Sequence, residues 1–212
     1  LQSSNFTERN QHFQRVSLEL AELVVQRIFE KAIVRPEQVD FLVYTTVTGL
    51  AVPSLDAQLM NRLPFRSDLK RLPLFGLGCL GGAAGVARLA DLLRGSPNSF
   101  GLLLSVELCS LTLQSQDLSV ANLVATGLFG DGAAAVLMSS HATKDLGPKV
   151  LATRSVFFPD SQGVMGWDIG SQGFSIVLSP QVPYYAQHHL APALQDFLTD
   201  HKLGLQDIKA WI

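Results

Sequence analysis

This 212-residue sequence predicts an α/β fold, a mostly parallel sheet layered with helices. Three observations point to it. Helical and strand-like patterns alternate along the chain. The strand-like runs are almost continuously apolar, as strands covered on both faces are. Apolar residues make up 47% of the sequence and charged ones only 16%, which suits a large buried core and excludes a disordered chain.

The first element is an amphipathic helix over residues 7–33, because Phe13, Val16, Leu20, Leu23, Val24, Ile28 and Ala32 recur at spacings of three and four. Pro36 closes it. Residues 39–46 form a short buried strand rich in β-branched side chains, and Thr48-Gly49 and Pro53 mark the loop beyond. A second helix covers 55–63, a strand 72–77, and a helix 83–93 that Gly95-Ser96-Pro97-Asn98 ends. The run 100–106 is a strand buried on both faces. Residues 117–128 are helical, with Asp117 or Ser119 as N-cap. Gly130-Asp131-Gly132 then turns the chain into a strand over 133–138. A polar link, 139–148, leads to strands at 150–158 and 173–178, a helix at 185–199 that tolerates Pro192, and the start of a last strand at 208–212.

Composition narrows the function classes. A net charge of −2 and scattered Lys and Arg give no footprint for nucleic acid or an anionic surface. No apolar stretch reaches the ~18 residues of a membrane span, and the first residues lack a signal-peptide layout, so no stable membrane insertion and a cytoplasmic location are expected. Cys79 and Cys109 read as free thiols. The chain starts at Leu1 without a methionine and stops inside an apolar run at Trp211-Ile212, which suggests a fragment.

The chemistry-bearing segment is Phe75-Gly76-Leu77-Gly78-Cys79-Leu80-Gly81-Gly82-Ala83-Ala84-Gly85, one cysteine among five glycines between a strand and a helix. Glycines permit a sharp strand-to-helix turn and close approach of a substrate to the backbone. A cysteine at the start of the helix faces unsatisfied N–H groups and the positive end of the helix dipole, an arrangement that favours a thiolate nucleophile. Two other readings stay open on these residues alone. Cys79 could be a packed core thiol. Gly76-x-Gly78-x-x-Gly81 also matches the dinucleotide-binding fingerprint, with Glu107 after the next apolar run as the acidic residue.

Further blocks break this tie. They are Thr45-Thr46-Val47-Thr48-Gly49-Leu50-Ala51-Val52-Pro53, the Cys79 block, Val106-Glu107-Leu108-Cys109-Ser110-Leu111-Thr112, and Ala121-Asn122-Leu123-Val124 leading to Leu128-Phe129-Gly130-Asp131-Gly132-Ala133. Pro159-Asp160-Ser161 with Met165-Gly166-Trp167-Asp168 follows in order. Together they resemble the type III polyketide synthases, the chalcone and stilbene synthase family, and within it the bacterial alkylpyrone and alkylresorcinol branch. The resemblance covers essentially the whole chain and makes the dinucleotide pattern a coincidence of glycines.

The resemblance implies a thiolase-like fold, incomplete at both ends. Residues 1–140 correspond to most of the N-terminal half and 141–212 to the start of the C-terminal half. It implies an acyltransferase in which Cys79 accepts an acyl group from a fatty acyl-CoA starter and extends it with malonyl-CoA to alkylpyrone or alkylresorcinol products. Phe129 matches the gatekeeping phenylalanine. Val47, Thr48, Cys109, Thr112 and Ala125 match cavity or acyl-tunnel positions, Val52 the residue reaching into a partner's cavity, and Trp167 a wall position. The implied assembly is a homodimer, with acyl-CoA and malonyl-CoA as substrates and no metal or other cofactor. The family's catalytic histidine, in a His-Pro-Gly-Gly motif, and its asparagine are absent. The run 208–212 resembles the strand just before that motif, and His12, His141, His188, His189 and His201 match no catalytic position. This segment alone is therefore expected to be inactive in condensation. Alternatives are a ketoacyl-ACP synthase III-like condensing enzyme and a non-catalytic domain of the same fold.

Overall fold

The computed structural model of the protein describes residues 5–141 and 147–211. A long helix, α1 (Phe6–Ala32), opens the chain, and the Asn5 side chain caps it by accepting from the Glu8 N–H at 2.9 Å. It ends as Ile33 enters the left-handed region at φ 54°. Strand β1 (Val39–Thr46) is followed by α2 (Leu55–Leu59), β2 (Lys70–Phe75), α3 (Gly81–Arg94), β3 (Phe100–Glu107), α4 (Val120–Leu128) and β4 (Gly132–Ser139). The hairpin β5 (Met165–Gly170) and β6 (Gly173–Leu178) comes next. A last helical stretch runs through α5 (Val182–Tyr185), a π turn at Ala186–Leu190 and α6 (Ala191–Asp200). The π turn widens the backbone just ahead of Pro192, whose ring would clash with a regular helix.

The main sheet has the order β2-β1-β3-β4. β1 pairs in parallel with both β2 and β3, and β4 returns antiparallel to β3. Alternation along the strands explains why both faces are apolar. Leu42 and Tyr44 of β1 and Leu102, Leu104 and Val106 of β3 pack toward Phe13, Ala21, Val25 and Phe29 of α1. Their neighbours Phe41, Val43 and Leu103 pack toward Leu89 and Leu93 of α3. The sheet is thus sandwiched between two helices, the α/β layering expected from the alternating runs. The close fit of α3 depends on Gly85, where an added Cβ would lie 2.5 Å from Leu103 Cδ1.

Several expectations need correction. The strand expected at 72–77 is displaced to Lys70–Phe75, because its pairing with Phe41–Thr46 of β1 sets its register. The helix expected over 55–63 stops at Leu59 and gives way to tight turns before Pro64. α4 starts at Val120, not 117, since Ser119 is the cap and its Oγ accepts from Asn122 N at 3.2 Å. Residues 150–158 form no strand. The carbonyls of Val150 and Leu151 accept from Arg94 Nη2 rather than from a neighbouring strand, and Leu151 and Phe157 stay exposed. No strand covers 208–211 either, and Ile212 lies outside the described residues. The Met165–Gly170 strand has no signal in hydrophobic alternation; pairing with β6 makes it. Part of the polar link, 142–146, also lies outside the described residues.

Candidate active site

Parallel topology brings the motif blocks together. β1, β2 and β3 all leave the sheet at one edge, so Val47-Thr48, the glycine-flanked cysteine and Cys109 follow from adjacent strand ends. β4 enters at that same edge, where Gly132 pairs with Glu107, and so delivers Phe129 and Asp131. The carboxyl edge of parallel strands is where open α/β sheets build ligand sites.

Cys79 lies in a single 3₁₀ turn, Gly78–Leu80, that joins β2 to α3. Gly76 and Gly78 have φ of +86° and +56°, a region closed to most side chains, which is how the chain reverses so sharply there. Gly81 begins α3 against the sheet, and a Cβ on it would meet Thr45 Oγ1 at 2.4 Å. The result is an exposed thiol. That removes the packed-thiol reading.

The dinucleotide reading fails at Glu107. Its carboxylate accepts from Thr48 Oγ1 at 2.6 Å, from Val47 N at 3.0 Å and from Thr46 Oγ1 at 3.1 Å. Thr48 Oγ1 in turn accepts from Leu108 N at 2.9 Å. Glu107 therefore binds the β1 exit to the β3 exit and is not available to a ribose. Burial raises its pKa above the usual carboxylate range, an effect that the Thr48, Val47 and Thr46 hydrogen bonds oppose.

Beside this network lies a cavity of about 490 Å³. Five of the sequence-selected residues line it: Cys109, Thr112, Ala125, Phe129 and Trp167. The Phe129 and Trp167 rings meet edge to face at 6.3 Å. Cys109 is half-buried, and burial pushes its thiol up to about 11, with Glu107, Asp131 and Cys79 adding to the shift. Cys79 is outside the lining; it follows β2 at the same sheet edge at which Cys109 follows β3, with β1 between the two strands. Val47 and Thr48 are buried beneath, in the Glu107 network. Val52 is fully exposed at the tip of a loop that α1 holds through Asn10, whose side chain pairs both ways with Leu50 at 2.8 and 2.9 Å.

The two thiols should therefore label in a fixed order. With a pKa near 11, about one Cys109 in 10⁴ is ionised at pH 7. Iodoacetamide at neutral pH is expected to modify Cys79 first, as read by peptide mass mapping. Equal rates at both positions would contradict this geometry.

Several residues that shape the site carry little sequence signal. Asp131 accepts from Ser110 N at 2.8 Å and from Ser110 Oγ at 2.7 Å, cinching the Phe129 loop to the Cys109 turn. Asn122 stands in the Ala121-Asn122-Leu123-Val124 block, but only the structure shows that its amide is buried and bonded to the Gln114 and Asp117 carbonyls. Gln114 and Ile176 gave no signal. Among the described residues, no cluster of His, Cys, Asp and Glu could hold a metal ion, and no helix is long and apolar enough to cross a membrane.

An α/β sandwich that presents an exposed cysteine on a glycine turn, at the sheet edge that also carries an open cavity, is a thiolase-like scaffold. Comparison with known proteins gives the family. Residues 4–154 match the model of the FAE1/type III polyketide synthase-like proteins, and the chain belongs to that family. It is 46% identical over 211 residues to a 1,3,6,8-tetrahydroxynaphthalene synthase of Streptomyces peucetius subsp. caesius, covering 98% of this chain and 56% of that protein. Among solved structures it resembles the 1,3,6,8-tetrahydroxynaphthalene synthase of Streptomyces coelicolor A3(2), with TM-score 0.90 and 31% identity over 95% of this chain and 57% of that one. A type III pentaketide synthase of Neurospora crassa gives TM-score 0.82 and 28% identity, over 96% and 56%. The chain thus spans a little over half the length of these relatives.

Proposed function

We propose that this chain supplies the nucleophile-bearing half of a type III polyketide synthase. The observation that carries the reading is the exposed Cys79 on its glycine turn at the same sheet edge as the Phe129-lined cavity. The Cys79 thiolate attacks the carbonyl of an acyl-CoA, and coenzyme A leaves. Malonyl-CoA then loses CO₂, and its carbanion attacks the Cys79 thioester. The new C–C bond forms as the C–S bond breaks, returning the thiolate. A thioester suits this cycle because its carbonyl stays electrophilic toward carbon. Coenzyme A thioesters are substrates in this scheme, and no further cofactor takes part.

In the reading favoured by the sequence blocks, the starter is a fatty acyl-CoA and the products are alkylpyrones or alkylresorcinols. The cavity supports it by offering Ala125, Leu113, Phe129 and Ile176 to an alkyl chain. A second reading rests on the 46% identity to a tetrahydroxynaphthalene synthase. That product bears no alkyl chain and needs no fatty starter. We also assign a homodimeric assembly, supported by fully exposed Val52 and by the outward apolar face of α4, where Val120, Leu123 and Leu128 are exposed.

The complete gene product carrying this chain decides between the two. Incubated with malonyl-CoA and a fatty acyl-CoA, it is expected to give alkyl-bearing products by mass spectrometry. Naphthalene products from malonyl-CoA alone, with no use of the fatty starter, would select the second reading. No acyl adduct and no product would reject both.

A further inference from the structure

The cavity has two walls that belong to distant parts of the chain. One is α4, with Asn122, Ala125 and Thr126; the other is the β5–β6 hairpin, which presents the directly opposed pair Trp167 and Ile176. Besides the Phe129–Trp167 ring contact and direct packing of α4 on β6, one loop residue ties them by hydrogen bonds. Gln114 Nε2 lies 2.8 Å from the Phe174 carbonyl, 3.2 Å from that of Gln172 and 3.3 Å from that of Thr112. An amide nitrogen has only two hydrogens, so the three contacts share them, and the short bond to Phe174 dominates. The carbonyl of Gln114 is held from the other side. Buried Asn122 donates one amide hydrogen to it at 2.9 Å and the other to the Asp117 carbonyl at 2.7 Å.

The hairpin face so gripped is the one that shapes the cavity. Trp167 and Phe174 touch edge to face at 6.0 Å, and Trp167 reaches Phe129. The hairpin tip is held by α1, where Arg9 donates to the Gln172 carbonyl and Phe6 packs on Phe174 with ring centroids 5.6 Å apart. Gln114 grips this same end of the hairpin, at Gln172 and Phe174, and through Asn122 ties it by hydrogen bonds to the α4 wall.

We infer that the Asn122–Gln114–Phe174 strap sets the separation of the two cavity walls, making Gln114 a positioning residue that determines which acyl group is admitted. The inference rests on the acyl-CoA reading above. Gln114 touches no reacting atom. It acts through Trp167 and Ile176, so its loss should alter selection between acyl groups more than the attack by Cys79 itself.

The test uses the complete gene product, with Gln114→Met keeping side-chain length and removing both donors. Acylation of Cys79 by straight-chain acyl-CoAs from acetyl to palmitoyl is read by intact mass, and hydrogen exchange is followed across residues 165–178. Q114M is expected to retain an adduct on Cys79 while the ratio of long-chain to short-chain acylation shifts about tenfold, the scale of pocket discrimination between alkyl groups. Exchange in the hairpin is expected to rise about tenfold, as loss of one internal hydrogen bond predicts. If Q114M does not fold, Gln114→Asn, which keeps the donors but shortens their reach, is read in the same way. An unchanged chain-length ratio in a folded variant, with Cys79 still acylated, overturns the role of the strap and leaves the acyl reading standing. A parent protein that takes up no acyl group overturns the acyl reading and the inference together.

Discussion

Replacing Cys79 with alanine in the complete gene product is expected to abolish the acyl adduct and lower product formation by about 10⁴-fold or more, the scale on which removing a covalent nucleophile acts. The expectation follows from the division of labour between the two thiols. Cys109, with its pKa near 11, holds its proton at neutral pH and cannot substitute. Cys79→Ser should fail almost as badly, since a serine hydroxyl is a far weaker nucleophile without an adjacent base. Folding should be nearly untouched, because the side chain is exposed; a change within about 0.5 kcal/mol is expected. Cys109→Ala provides the contrast and should leave acylation of Cys79 in place. Intact-mass measurement of the three variants against parent protein checks all of this, and parental labelling of Cys79→Ala would remove Cys79 from the mechanism.

Glu107→Ala is expected to be the most destabilising single change in the site, costing about 3 kcal/mol through three donors left unpaired in a buried setting. These are the Val47 N–H and the Thr46 and Thr48 hydroxyls, and Thr48 also anchors Leu108 N. The loss loosens the β1 exit from the β3 exit, and the loops carrying Val52 and Cys109 part with it. pH adds a diagnostic. The folded-state pKa of Glu107 is raised, chiefly by burial, above its ordinary value of 4.5. A raised pKa means that the folded protein binds this proton more tightly than the unfolded chain does. The stabilising contribution is therefore complete below about pH 4.5 and is lost as pH rises through the folded-state value. Glu107→Gln, which cannot titrate, removes that dependence. Chemical denaturation of parent and Glu107→Gln between pH 4 and pH 8 should show the parent gaining on the variant as pH falls. The opposite slope would mean that hydrogen bonding, not burial, governs this carboxylate.

Much of the fold was legible because burial writes itself into periodicity. The runs that became β1 and β3 are continuously apolar over residues 41–44 and 102–104, since α1 covers one face and α3 the other. α1 was visible for the same reason, its apolar stripe recurring with the helical period. Where burial is partial the pattern fails. Met165–Gly170 contains Gly166, Asp168 and Gly170 and becomes a strand only by pairing with Gly173–Leu178. Residues 150–158 look like a strand but meet Arg94 instead of a partner. A sequence run records what a segment could pair with, not whether the partner arrives.

By itself the sequence determined the glycine turn that carries Cys79. Glycines at 76, 78 and 81 are required locally, by positive φ or close approach, so their spacing around Cys79 survives in the linear chain. It also determined the family, through blocks whose order is linear. Only the tertiary structure decided the jobs of the polar residues within and between those blocks. Glu107 became a strut between strand exits, Asp131 a clamp on the Phe129 loop, and Gln114 the span between two cavity walls. Each bonds to a group some 20 to 60 positions away. A hydrogen bond depends on separation in space at the ångström scale, and a residue's neighbours in the chain carry no record of it.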